Sequence, residues 1–279
     1  MVSSSSRTPS TQKQDSPELA ETGWRVVVDK EANDGSTIWI PLTSSEFLHP
    51  KEGYHLPSST FHDEVTVHAK DVLTRRYQND PTVGVFRDLI VEWDTDQGDN
   101  CPDVFVAFGI ENKEINRSKF IIKNEGVRPA FVIEVVSPRY RKEDREEKVV
   151  QYAQAGVGEY IIVDRRKLRG KILEEVLGYR LVGSHYQPIT PDEEGRILCE
   201  SVGVFMSLRE ESLVIEDADS GERLLSSVEL EAANLELEKA NSELEKAKQS
   251  AQQQAEEMAA LLARYQEQFG ELPEDNNNS

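Results

Sequence analysis

The chain has 279 residues, 37% of them hydrophobic and 30% charged, so it can form one well-packed domain with appendages. No apolar run approaches the roughly 18 residues of a membrane-spanning helix, and the polar start MVSSSSRTPSTQKQD is unlike a secretory signal. Cys101 and Cys199 lie far apart, which argues against a disulfide framework or zinc knuckle. We expect a protein of the reducing cytoplasm with no membrane partner.

The net charge of −20 is unfavourable for a protein that binds nucleic acid, because phosphates repel acidic surfaces. The acidity is concentrated, however. Residues 216–279 carry a net charge of −11, whereas the much longer stretch 1–215 carries −9. The tail is therefore more acidic per residue than the rest of the chain.

The first part of the chain is expected to change from a disordered terminus to regular structure. Residues 1–22 are rich in Ser, Thr, Gln and Pro and have too few apolar residues to offset the entropy of ordering, which predicts disorder. Residues 23–58 contain short segments such as WRVVV and STIWIPL, which predict a lead-in hairpin or strand. Residues 61–78 then place apolar side chains at helical spacing and predict an amphipathic helix.

The middle of the chain predicts a sheet. Residues 83–93 alternate, whereas 102–110 and 129–137 are nearly continuous apolar runs, as in strands buried on both faces. A charged helix is expected over residues 143–155, ended by Gly156, followed by a strand at 159–164 and further hairpins. We predict an α/β (α+β) domain over residues 23–215, with a mixed central sheet flanked by helices.

The tail follows a predicted linker at residues 216–227. Leucines recur every seven residues from Leu230, but Asn and Lys occupy positions on the same seam, so residues 228–269 predict a long helix with only a coiled-coil tendency. We expect a homo-oligomer formed through this helix; the alternative is a solvated helix packed on its own domain. Residues 270–279 are predicted to be a disordered terminus.

Two carboxylates stand inside otherwise apolar strands. Asp103 begins the run DVFVAF, and Glu134 is enclosed by FVI and VVS. A buried ionised carboxylate costs several kcal/mol unless a cation or hydrogen bonds compensate it. For Glu134 this indicates a functional site or a structural ion pair, whereas Asp103 alone could equally be a turn residue at the start of a strand.

Carboxylates on adjacent strands can bind one hard divalent cation that activates water and a phosphate. A lysine nearby would stabilise the developing negative charge or orient the attacking water. Lys148 is the candidate, with Tyr152 one turn further on the same helix face. Because Glu146 and Glu147 flank Lys148, an ordinary solvated helix face is the alternative.

The segments PDVFVAF, VIEVVSP and DREEKVVQYAQAGVGEYIIVD resemble the Uma-type restriction endonuclease family of the PD-(D/E)xK nuclease superfamily, over about residues 45–215. The resemblance implies a restriction endonuclease-like core that hydrolyses phosphodiester bonds with Mg²⁺, or alternatively Mn²⁺. It implies metal binding by Asp103 and Glu134. The superfamily lysine two residues after the glutamate is replaced by Val136, and the family's helical lysine corresponds to Lys148.

The resemblance also implies supporting residues. An acid from the first helix often completes such sites, and Glu64 is the nearest match, with Asp63 as its rival. Tyr152 is a second supporting candidate. Four basic residues between the strand of Glu134 and the next helix could hold phosphates without reading sequence: Arg139, Arg141, Lys142 and Arg145.

Two functions follow. The first is a Mg²⁺-dependent endonuclease with catalytic Asp103, Glu134 and Lys148, acting on DNA in preference to RNA. The second is a catalytically inactive nuclease-fold binding or regulatory protein that assembles through its C-terminal helix. The net acidity and the missing strand lysine favour the second.

Overall fold

The computed structural model describes residues 17–30 and 35–270 of the chain. Its first elements are two short helices and an antiparallel hairpin: α1 (Pro17–Thr22), β1 (Trp24–Val28), β2 (Thr37–Pro41) and α2 (Ser44–Leu48). The hairpin expected within residues 23–58 is confirmed. The disorder expected for residues 1–22 is wrong from Pro17 onward, because α1 buries Leu19 against the domain. Residues 1–16 lie outside the described residues.

A long helix and a six-stranded sheet form the centre of the domain. Helix α3 (Thr60–Arg76) is capped by Ser59, whose hydroxyl accepts a hydrogen bond from the backbone N–H of His62. The next elements in the chain are β3 (Val83–Arg87), β4 (Val91–Glu92), β5 (Val104–Phe108), β6 (Phe120–Ile121), α4 (Ile122–Glu125) and β7 (Pro129–Val135).

The segment after β7 bends before it enters the sheet again. A 3₁₀ turn (Pro138–Tyr140) and a π-helical turn (Glu143–Glu147) precede α5 (Lys148–Ala155), which ends at Gly156 with φ +78°. The helix predicted from residue 143 is thus confirmed, but its first turn is wider than expected. The reason is that the Lys148 N–H bonds the carbonyl of Glu143, while the Tyr160 hydroxyl donates to the carbonyl of Asp144.

The second half of the domain is built from hairpins. It contains β8 (Glu159–Leu168), β9 (Lys171–Val182), β10 (His185–Ile189), β11 (Ile197–Cys199), β12 (Val204–Arg209) and β13 (Ser212–Asp217). The large sheet has the order β10-β9-β8-β7-β5-β3, in which β7 and β8 are parallel and the other neighbours are antiparallel. The predicted mixed central sheet is therefore confirmed, and β11-β12-β13 form a separate three-stranded sheet.

Both faces of the central strands are covered, which explains their continuous apolar sequences. Val104 and Ile133 pack with the buried face of α3 and with the three-stranded sheet, whereas Phe105 and Val132 pack with α5 on the opposite face. Side chains alternate along a strand, so Glu134, one residue after Ile133, faces α5. The core thus directs this carboxylate toward the helix that carries Lys148.

The domain extends further than the predicted boundary at residue 215. Arg76 pairs with Asp217 at 2.6 Å, Arg75 donates to the carbonyl of Leu225, and Leu224 packs against the core. The compact unit ends at Ser226. Residues 216–226 therefore belong to the domain and are not a linker, because their side chains close one end of the core over α3.

The C-terminal unit is one helix, α6 (Ser227–Phe269), of 43 residues and about 65 Å length. It agrees within one residue with the helix predicted at 228–269, and none of its side chains is buried. Residues 271–279, which include most of the terminus predicted to be disordered, lie outside the described residues. None of the described helices has the length and apolarity needed to cross a bilayer.

The boundary at Ser226 predicts different effects for two truncations. A chain ending at residue 226 should keep the full free energy of unfolding of the domain in urea. A chain ending at residue 215 should lose about 3 kcal/mol or more, since it lacks the packing of Leu224 and the ion pair of Asp217. Equal urea midpoints for the two truncated chains would contradict the boundary.

Candidate active site

Glu134 is held by two groups from α5. Its Oε2 atom lies 2.9 Å from the Lys148 ammonium, and its Oε1 atom accepts a 2.5 Å hydrogen bond from the Tyr152 hydroxyl. Lys148 and Tyr152 are four residues apart and therefore share one face of the helix. All three side chains are buried, so this is an ion pair and hydrogen bond shielded from water.

Asp144 supplies a second carboxylate to the same lysine. Its Oδ1 atom lies 2.9 Å from the Lys148 ammonium, and its Oδ2 atom accepts a hydrogen bond from the Ser137 N–H at 3.0 Å. Asp144 lies in the π-helical turn, four residues before Lys148, and is 1% exposed. The ammonium is therefore fixed between Glu134 and Asp144.

Asp103 lies immediately before β5, next to the strand of Glu134. Its Oδ2 atom accepts a 2.7 Å hydrogen bond from the Val135 N–H and lies 3.1 Å from Nε2 of His62 on α3. The backbone bond ties Asp103 to β7 directly beside Glu134. Asp103 is therefore positioned by two elements, a strand and a helix, rather than by a flexible turn.

Burial dominates the protonation of these groups. It raises the pKa of Glu134 to about 8 although the Lys148 charge opposes it, and it also raises the pKa of Asp144. Burial alone would lower the pKa of Lys148, but Asp144 and Glu134 outweigh it and raise that pKa, so the ammonium stays charged. The negative charge of Asp103 contributes to the raised pKa of Glu134.

The pKa of Asp103 is lowered, unlike the pKa values of Glu134 and Asp144, because Asp103 pairs with His62. Burial would lower the pKa of His62, but the charge of Asp103 and the hydrogen bond to it raise this pKa to about 9. Burial would raise the pKa of Asp103, but the His62 charge and hydrogen bond hold it below its usual value. At neutral pH the pair is therefore an imidazolium and a carboxylate.

These groups line one cavity of about 210 Å³. The first part of the chain forms one wall, where the Phe47 ring lies 4.7 Å from the Lys148 ammonium. Arg87 and Asp88, at the end of β3, line the cavity as well, and Asp88 has a positive φ of 51°. The cavity thus brings Asp103, Glu134 and Lys148 together, with a charged rim.

The supporting acid from α3 differs from the nearest sequence match. Glu64 is exposed and does not line the cavity, whereas its rival Asp63 lines it and pairs with Arg87 at 3.0 Å. The helix turns Glu64 outward because the adjacent Val65 and Thr66 face the core. Of the two supporting candidates, Glu64 therefore lies outside this cavity, whereas Tyr152 contacts Glu134.

Three of the four basic residues after β7 pair with acids. Arg141 and Arg145 both pair with the buried Asp164, and Arg145 also pairs with Glu175 at 2.8 Å. Lys142 pairs with Glu147 at 3.1 Å, and Arg139 is exposed. The intramolecular pairs tie the π-helical turn to β8, so their first role is structural.

The donor set fits a magnesium ion that keeps several of its waters. Within residues 17–30 and 35–270 no group of three or more His, Cys, Asp or Glu side chains has the arrangement of a metal site. Mg²⁺ needs only one or two protein carboxylates, completed by water and substrate phosphate. Asp103 and Glu134 can meet that requirement, and a cation would offset the burial and the neighbouring negative charges that raise the pKa of Glu134.

Sequence reasoning did not identify His62, Asp88 or Asp144 as members of the site. For Asp144 a signal exists, since it precedes Lys148 by four residues and lies on the same helix face. His62 follows the cap of α3 without any distinguishing pattern. Asp88 follows a strand in an ordinary polar loop, and only the fold brings it to Asp103, whose backbone carbonyl accepts its N–H at 3.2 Å.

The helix-flanked mixed sheet, with carboxylates at the ends of its central strands, defines a restriction endonuclease-like fold. The family model Uma2, described as "Putative restriction endonuclease", matches residues 55–208. This is more than half of the chain, and the chain therefore belongs to that family.

Among solved structures, the chain is similar to the crystal structure of a "putative nuclease belonging to DUF820" from Anabaena variabilis ATCC 29413, with 15% identity and a TM-score of 0.39. The similarity covers 61% of this chain and 80% of that one. No curated protein matches the chain.

The His62–Asp103 pair predicts a pH-dependent stability. A histidine whose folded pKa is raised from 6.5 to about 9 stabilises the fold fully below pH 6.5 and loses this effect as pH rises through 9. The free energy of unfolding in urea should therefore fall by roughly 3 kcal/mol more in wild type than in His62→Gln between pH 6 and 9.5. Parallel pH profiles for the two proteins would refute the charged pair.

Proposed function

We propose that this protein is a metal-dependent endonuclease that hydrolyses phosphodiester bonds of DNA. The observation that carries the proposal is the convergence of Asp103, Glu134 and Lys148 on one cavity. The family description supports the same reaction class. Asp103 and Glu134 would hold Mg²⁺, with Mn²⁺ as a substitute, and the bound ion supplies Lewis-acid activation of the phosphate and of an attacking water.

The protein groups around the carboxylates orient them. His62 and the Val135 N–H fix Oδ2 of Asp103, and the Tyr152 hydroxyl fixes Oε1 of Glu134. These two donors occupy both lone pairs of Oδ2, so Asp103 would coordinate a metal through Oδ1, whereas each oxygen of Glu134 keeps a further lone pair. Such preorganisation lowers the cost of assembling charged groups around a substrate phosphate.

Lys148 would stabilise the negative charge that develops on the phosphate in the transition state. Its ammonium stays charged between Asp144 and Glu134, lies 4.7 Å from the Phe47 ring and lines the cavity together with it. The apolar ring lowers the local dielectric constant, which strengthens the field of the ammonium in the cavity. Lys148 thereby takes the role that a strand lysine has elsewhere in the superfamily, where this chain has Val136.

A second candidate is a nuclease-fold binding or regulatory protein without catalysis. The observation that favours it is that Lys148 and Tyr152 already satisfy both oxygens of Glu134, while Lys148 itself is neutralised by two carboxylates. In this case the site stabilises the fold instead of holding a metal. Both candidates share a nucleic-acid partner, a location in the reducing cytoplasm and assembly through α6.

Substitution of the carboxylates separates the two candidates. Asp103→Ala and Glu134→Ala should each lower Mg²⁺-dependent nicking of supercoiled plasmid by about two orders of magnitude or more, since each removes a metal ligand. Glu64→Gln, on the outward face of the same helix as His62, is the matched control and should nick at the wild-type rate. Nicking that persists in both alanine variants contradicts the assignment, and a wild type that never nicks favours the second candidate.

Assembly through α6 is tested by its removal. Leu237, Leu244 and Met258 are each at least 60% exposed and recur on one seam of the helix, which is typical of a coiled-coil surface. Deleting residues 227–279 should reduce the apparent mass in sedimentation from that of an oligomer to that of a monomer. An intact chain that already sediments as a monomer would contradict self-association.

A further inference from the structure

The strongest local concentration of positive charge lies at the tip of one hairpin. Strands β8 and β9 pair without interruption from Glu159↔Arg180 to Leu168↔Lys171, and only Arg169 and Gly170 connect them. Both connecting residues have positive φ, 50° and 82°, as a tight two-residue turn between twisted strands requires. Residues 165–171 contain five basic and no acidic side chains, in a chain whose net charge is −20.

The hairpin extends from the end of the central strands at which the candidate active site lies. Strands β7 and β8 are parallel, and their pairing ends at Val135↔Val163, one residue beyond Glu134. Strand β8 continues for five more residues, which carries the hairpin about 17 Å past the end of β7. We call residues 164–175 the arm.

The base of the arm is held close to the site, whereas its tip has no acidic partner among the described residues. Arg165 lies over the ring of Phe61, next to His62, and pairs with Glu211. Lys167, Arg169 and Lys171 are exposed, and no carboxylate of the described part of the chain lies within ion-pairing distance of them. The arm is therefore anchored beside the cavity and presents its unpaired charges beyond it.

We propose that the arm binds the phosphate backbone of a nucleic-acid duplex and holds it across the cavity. The proposal rests on the proposed nucleic-acid partner but not on catalysis. A two-stranded ribbon with cations along it can follow a duplex, and contacts to phosphates position the duplex without reading its sequence. The arm also explains how a strongly acidic chain can approach a polyanion, since it separates the first contacts from the acidic surface.

The test is duplex binding without catalysis. Fluorescence anisotropy with a labelled 30-bp DNA duplex in EDTA would compare the full chain with the Lys167→Gln/Arg169→Gln/Lys171→Gln variant across a salt series. The matched control is Lys239→Gln/Lys246→Gln/Lys248→Gln, which removes the same charge from α6. The arm variant should bind more weakly on every duplex sequence, with a slope of log affinity against log salt that is shallower by about 3.

The outcomes separate the arm from the proposed function. If the arm variant and the α6 control weaken binding equally, or if wild type binds no duplex at low salt, the proposal is overturned. If the arm variant binds more weakly while the α6 control binds like wild type, the arm is supported. If wild type then never cleaves with Mg²⁺, the endonuclease assignment alone fails. Thermal melting of the variants excludes unfolding as the cause.

Discussion

The site depends on one constraint, the burial of the Glu134 carboxylate in the central strand β7. An ionised carboxylate there is tolerated only with a compensating cation and hydrogen bonds, which Lys148 and Tyr152 provide. Both partners lie on α5, the crossover helix between the parallel strands β7 and β8. This connection packs α5 on the sheet beside Glu134. Burial nevertheless raises the pKa of Glu134 to about 8, and the divalent cation that we propose would favour its ionised form.

The π-helical turn and the first segment of the chain position the groups around Glu134. The π-helical turn lets Asp144 and Lys148 face Glu134 together while the carbonyl of Asp144 is satisfied by Tyr160. On the other side, the first segment of the chain is fastened through Tyr140, which stacks on Phe47 and donates to the carbonyls of Thr22 and Leu42. Phe47 is thereby held against Lys148, although it precedes the residues matched by the family model.

Much of this arrangement could be predicted from the sequence, for identifiable reasons. Strands buried on both faces have continuous apolar sequences, so β5, β7 and β8 were recognisable, and Glu134 was anomalous within one of them. The partners of Asp103 were not predictable, because His62 reaches it only through the packing of α3 on the sheet. The predicted domain boundary at residue 215 was wrong for the same reason. Residues 216–226 have no regular pattern, and only their contacts with Arg75 and Arg76 show that they belong to the domain.

The most direct test of the account is a crystal structure of the protein soaked with Mn²⁺, using anomalous scattering to locate the ion. Our account predicts a manganese peak bonded to carboxylate oxygens of both Asp103 and Glu134, with the Lys148 ammonium beside it in the cavity. Manganese bound elsewhere, with the pair of Glu134 and Lys148 unchanged, would contradict the proposed metal site and leave these residues a structural role.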